Sequence, residues 1–218
     1  NRIARIVSVF SLAVFMGQAL IAQSLDIPSK TWGLSFGNSK SFTGLRFNFR
    51  DSRVERVTGV NFTLWTPRKD NKGSIVTGLS LGLVPGGGKV RGVQLGLLGA
   101  GADSDMAGLN IGGLGVGAGD NLTGINIGGL GVGAGENVKG ITVGGVGAGA
   151  GEDLAGIAIG GLGAGAGENI VGVCIAGLGA GAGEDFKGLA IAGLGAGCGE
   201  NFDGIAIAGL GVGAGERF

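Results

Sequence analysis

Apolar positions recur from Gly108 to Phe218 with a period of sixteen residues. Seven copies of one phrase begin at Gly108, Gly124, Gly140, Gly156, Gly172, Gly188 and Gly204, and the copy at Gly124 reads GINIGGLGVGAGENVK. Positions below are numbered 1 to 16 from that first glycine. Each phrase opens on an apolar alternation, Ile125-Asn126-Ile127, with both isoleucines on one face of an extended strand. A Gly128-Gly129 pair follows. A second alternation, Leu130 to Ala134, puts side chains on one face and hydrogens on the other. Glu136-Asn137 makes a polar corner, and Val138 returns the chain to the apolar side. Period two with glycine punctuation predicts strands, and glycine at this density would cost a helix about 1 kcal/mol per residue. The isoleucine face is expected to line the core, which would bury Ile159.

Two all-β arrangements fit this phrase. In a β-solenoid each phrase of about 16 residues is one coil and like positions stack at about 4.8 Å. In a closed shallow ring, Gly-Gly is a hairpin loop and each phrase is one hairpin. Near-identical neighbours suit in-register stacking, which favours the solenoid. One phrase cannot stand alone under either arrangement, because its few apolar side chains do not offset the entropy of ordering sixteen residues.

Residues 23–107 carry the same grammar more loosely. Gly44-Leu-Arg-Phe-Asn-Phe, Gly59-Val-Asn-Phe-Thr-Leu, Gly78-Leu-Ser-Leu-Gly-Leu and Gly92-Val-Gln-Leu-Gly-Leu repeat it, and Gly33-Leu-Ser-Phe is an abbreviated first copy. Irregular lengths and bulky aromatics are expected to form a cap on the first coil, with Trp32 and Trp65 plugging it. Residues 1–22 read as a secretory signal peptide, with Arg2 and Arg5 before the apolar run Ile6–Ala22. The expected organisation is therefore signal peptide, irregular repeats and cap over 23–107, and regular repeats over 108–218.

The phrases Gly92-Val-Gln-Leu-Gly-Leu-Leu, Gly108-Leu-Asn-Ile-Gly-Gly-Leu and Gly124-Ile-Asn-Ile-Gly-Gly-Leu resemble the GVQIGL-type repeats of bacterial glycine-rich surface-repeat proteins. The resemblance covers roughly residues 33–218 and implies a surface location and no chemistry. The polar third position departs from that pattern in later copies, where it becomes Thr142, Ala158, Cys174, Ala190 and Ala206. If that polar row carried recognition in relatives, it has faded here.

Composition excludes more than it assigns. Fifty-four glycines without a Gly-X-Y period rule out collagen. The absence of histidine removes the commonest general base, and no nucleophile–base set can be assembled. Net charge is zero, yet residues 1–107 hold 13 basic and 6 acidic side chains (+7) and residues 108–218 hold 3 and 10 (−7). Dinucleotide-type glycine patterns arise from composition alone, Gly86-Gly87-Gly88-Lys89-Val90 lacks the elements of a phosphate loop, and no cofactor or nucleic-acid partner is implied. Asp120, Glu136, Glu152, Glu168, Glu184, Glu200 and Glu216 share position 13, so stacked carboxylates would either splay into water or hold calcium between them. Cys174 and Cys198 occupy different positions usually filled by alanine. An exported location allows a bridge between them, but no spacing aligns them.

The expected function is an exported structural or interaction scaffold of the adhesion or coat type, without catalysis, at the cell surface, outer membrane or extracellularly. The competing class is an outer-membrane β-barrel or pore, with short alternating strands and a terminal Phe218; an enzyme ranks last. Partners are a surface or envelope component, and a second copy met through the C-terminal repeat, whose edge and apolar rows lack the bulky residues of the other end.

Overall fold

The computed structural model describes residues 24–218, and the expected signal peptide lies outside them. The chain is an all-β solenoid of about eleven turns with coils of about sixteen residues. Strands β1 (Leu25–Pro28), β2 (Trp32–Phe36), β3 (Ser41–Arg50), β4 (Arg56–Trp65) and β5 (Ile75–Gly82) open it. From β6 (Gly86–Gly87), β7 (Lys89–Gly96) and β8 (Gly99–Ala102) each coil carries one long and one short strand. The pattern runs from β9 (Met106–Gly112) and β10 (Gly115–Ala118) to β21 (Phe202–Ala208) and β22 (Gly211–Ala214). Long strands form a 13-stranded sheet and short ones a 9-stranded sheet. Apart from the antiparallel β1–β2 pair, strand pairing is parallel and in register, as in Ile125↔Ile141 on the long sheet and Val132↔Ala148 on the short one. Parallel pairing of successive phrases excludes the hairpin ring. The looser copies keep the register despite their unequal lengths: Gly33, Gly44, Gly59, Gly78, Gly92 and Gly108 pair in succession.

The first glycine of every coil has a positive φ, for example +110° at Gly124 and +119° at Gly140. A Cβ there would fall inside the van der Waals shell of the preceding coil's glycine carbonyl oxygen. Only glycine satisfies both conditions. At position 8 the requirement disappears, because a Cβ on Gly147 would meet nothing closer than the Gly163 carbonyl at 3.7 Å.

The structure reverses the expected inside and outside of the long strand. Position 15 and position 3 share its inner face. Leu122, Val138, Leu154, Ile170 and Phe186 are buried, as are Asn126, Thr142, Ala158, Cys174 and Ala190. The isoleucines face out: Ile125 is 44% exposed, Ile141 41% and Ile157 38%, and Ile159 is half-buried instead of being in the core. The short strand contributes Val116, Val132, Ala148 and Ala164 to the interior, and the corner before it turns Leu130 outward. The interior is too narrow for isoleucines at positions 2 and 4: the Cys174 thiol on the long sheet already donates to the Ala164 carbonyl of the short sheet, 3.3 Å away. One large side chain per coil, at position 15, fills the widest part of the section. Phe186 and Phe202 stack there with ring centroids 4.7 Å apart.

Gly140→Ala should therefore lower the midpoint of thermal unfolding by about 6–12 °C, the equivalent of about 3 kcal/mol, from strain and backbone overlap together. Gly147→Ala should stay within about 1 kcal/mol of the parent. Equal shifts in circular-dichroism melts would contradict the assigned stacking.

Candidate binding surfaces

The polar third position that the family resemblance suggested as a recognition row points into the solenoid. Ser35, Arg46, Asn61, Ser80, Gln94, Asn110, Asn126 and Thr142 stack along the inner face and are all buried. Asn110 Nδ2 donates to Asn126 Oδ1 at 2.7 Å. The Gln94 amide and Thr142 Oγ1 find no partner among the described residues, a cost of about 1–3 kcal/mol for each such group. Ala158, Cys174 and Ala190 continue the column without it.

At the amino-terminal end the column becomes charged. Arg46 and Asp51 form a buried ion pair, Nη1 to Oδ1 at 2.7 Å. Arg46 also donates to Asn61 Oδ1 (2.9 Å) and Asn38 Oδ1 (3.2 Å), and Asn48 Nδ2 donates to Asp51 Oδ1 at 2.7 Å. This network occupies the coils that precede the short sheet, where apolar packing from a second layer is missing. Trp32 and Trp65 are exposed and plug nothing.

The acidic corner is solvated. Glu136, Glu152, Glu168, Glu184 and Glu200 are exposed and Asp120 is half-buried, accepting from Ser104 Oγ at 2.6 Å. Backbone bonds hold the corners in register, with the Glu136 amide donating to the Asp120 carbonyl at 2.9 Å. Among the described residues no group of three or more acidic or cysteine side chains is placed to hold a metal ion. The neighbouring position 14 does what sequence reading missed. Asn121 Nδ2 donates to Asp105 Oδ1 (3.0 Å), Asn137 to Asn121 (3.0 Å), Asn169 to Asp153 (2.9 Å) and Asn201 to Asp185 (2.9 Å). Hydrogen bonds donated by the Asn201 side chain and amide hold the Asp185 carboxyl below its usual range. The signal was present in the sequence as Asx at one fixed position with donor and acceptor interchanged.

Cys174 and Cys198 are free. They lie on opposite sheets, and burial pushes the Cys174 thiol up to about 11. The half-buried Cys198 thiol is raised by the same cause.

Two surfaces stand out among the described residues. The first is the outer face of the long sheet. Position 2 forms one continuous apolar row, from Leu45 and Val60 through Leu109 and Ile125 to Ile205, and position 4 forms another, from Phe36, Phe47 and Phe62 to Ile207. Leu114, Leu130, Leu162, Leu178 and Leu194 at position 7 add a third row round the corner, each about half exposed. The outer face of the short sheet is bare glycine. The second surface is a cleft of about 1120 Å³ beside β3, β4 and the end of β5. Comparison of the chain with protein-family models, with curated proteins and with solved structures gives no match.

A thiol reagent at pH 8 should label one cysteine of the native chain, Cys198, at least about tenfold faster than the other, since only accessible thiolate reacts. Both should react in denaturant. Equal native labelling, read by mass spectrometry of the peptides, would contradict the burial of Cys174.

Proposed function

We propose that the chain is an exported structural scaffold of the cell-surface coat or adhesion type that works through the apolar rows on its long sheet and performs no catalysis. The observation that carries this reading is the partial exposure of those rows along the solenoid, with Ile125, Ile141, Ile157 and Ile205 the more exposed of position 2. About a dozen rungs at about 4.8 Å, each about 15 Å wide, give a face of about 850 Å². Contiguous apolar patches on monomeric proteins are about 300–600 Å², and each partner in a standard interface contributes about 800 Å². The occupant that fits is a second copy laid face to face. It offers rows of the same period, so contacts made at one rung recur at every rung, and the charges at Lys139, Lys187 and Asp203 stay at the rim. The parallel, side-chain-filled coil supports a scaffold over a membrane pore, which is built from closed antiparallel strands. No helix among the described residues is long and apolar enough to cross a membrane, which says nothing of strands.

The double substitution Ile141→Lys with Ile157→Lys should make a self-associating chain monomeric in sedimentation velocity while leaving the unfolding midpoint within about 2–4 °C, as for surface changes worth about 1 kcal/mol. Association that survives the substitutions would run through the unpaired edges of β21 and β22, as expected from sequence alone, and would overturn the face. A parent chain that stays monomeric and adsorbs instead to phosphatidylcholine vesicles would replace the second copy by a lipid surface.

A further inference from the structure

The cleft beside β3 and β4 arises because the opening coils have no short sheet. The short sheet begins only at β6, so β3 and β4 run past the point where later coils turn, and their far ends stand uncovered. The lining has two chemistries. One side is apolar: Phe47 and Phe62 stack at 4.8 Å between ring centroids, with Leu81 and the largely exposed Phe49 and Leu64 beside them. The other carries the cations Lys40, Arg50, Arg53 and Arg68 and no carboxylate.

Glu55, whose amide donates to the Lys40 carbonyl at 2.8 Å, lies outside the lining, and its carboxylate accepts from Ser41 Oγ at 3.1 Å. Asp51 is buried and held by Arg46, Asn48 and Thr63. Asp70 accepts from Ser52 Oγ at 2.8 Å and reaches only Arg53, at 3.8 Å. Arg50 spends its Nε–H on the Thr66 carbonyl at 3.0 Å, which fixes the guanidinium beside the cleft. Lys40 and Arg68 have no ionic partner among the described residues. Arg53 is the one non-glycine residue with positive φ among the described residues, at +50°. Such backbone strain concentrates at functional sites. A volume at the upper end of small-molecule sites, an apolar wall and a few convergent polar groups are what a ligand pocket needs.

We propose that this cleft binds an anion carried on an apolar tail, an acyl carboxylate or an alkyl phosphate, with the tail along Phe47, Phe62 and Leu81 and the anion against Lys40 and Arg68. Desolvated anions gain most from guanidinium and ammonium donors, and the tail gains by burial. Neither half alone is sufficient, so the site discriminates against bare anions and neutral tails alike. The apolar wall is the amino-terminal end of the position-4 row, and the cations set this site apart from the rows of the regular coils.

Titration calorimetry with the full chain tests it, using decanoate, decyl phosphate, decanol and inorganic phosphate below micelle-forming concentrations. One of the two anionic amphiphiles should bind at one per chain, at least tenfold tighter than decanol and than inorganic phosphate, and the tighter of the two identifies the headgroup. Lys40→Gln with Arg68→Gln should weaken it at least tenfold with no change in the unfolding midpoint of the free protein. Ile141→Lys with Ile157→Lys, which lie outside the cleft, should not weaken it, so this proposal and the face-to-face association fail separately. Decanol binding as well as the anions, inorganic phosphate binding as well as decyl phosphate, or insensitivity to the Lys40/Arg68 substitutions would each overturn the proposal.

Discussion

No β-carbon can stand at the first position of a coil, and the rest of the structure follows from that. The glycines from Gly44 to Gly204 stack backbone on backbone, each in a region of φ closed to other residues and each against the carbonyl of the one before. The stacking fixes register, because a shift of one residue would put a side chain where none fits. It also explains how copies separated by 11, 15, 19 and 14 residues still align: the glycine is matched and the surplus is expelled into corners such as Thr66–Ser74.

A coil held this tightly has a narrow interior, and narrowness decides which residues go inside. In the regular coils alanine, valine and asparagine fill the space between the sheets, and position 15 takes leucine, isoleucine or phenylalanine. The isoleucines of positions 2 and 4 go outside. The apolar outer face is therefore a consequence of the packing, and it leaves the molecule with a surface that water does not favour. Where the second sheet is missing, the interior holds the Arg46–Asp51 pair and its amide partners beside the buried Phe42, Val54, Val57 and Val76. Breaking that pair would strand a buried charge, a loss of about 3–5 kcal/mol.

Fold class was legible because both signals it needs, a sixteen-residue period and period-two alternation, are written in the chain. The faces were not. Alternation says that Leu122, Gly124, Asn126 and Gly128 share a side and that Thr123, Ile125 and Ile127 share the other, but hydropathy favours the wrong one. Only the distance between the sheets settles it, and that distance depends on glycines whose φ no local pattern reveals. The glutamates at position 13 drew attention as carboxylates while the hydrogen-bonded column stood one residue later, at Asn121, Asn137 and Asn169. The cleft was illegible for a different reason. Lys40, Phe47, Arg50 and Arg68 converge only because the early coils lack a layer, which no repeat alignment displays.

A straight stack of parallel coils fixes the distances between spin labels at position 16, measured with Cys174 and Cys198 first replaced by alanine. Labels at Lys139 and Lys187, three coils apart, should lie about 14 Å apart; at Thr123 and Asp203, five coils apart, about 24 Å; and at Thr58 and Lys187, eight coils apart, about 38 Å. The stack requires this linear rise of about 4.8 Å per coil. Distances that level off or fall as more copies intervene, as in a closed ring, would contradict it.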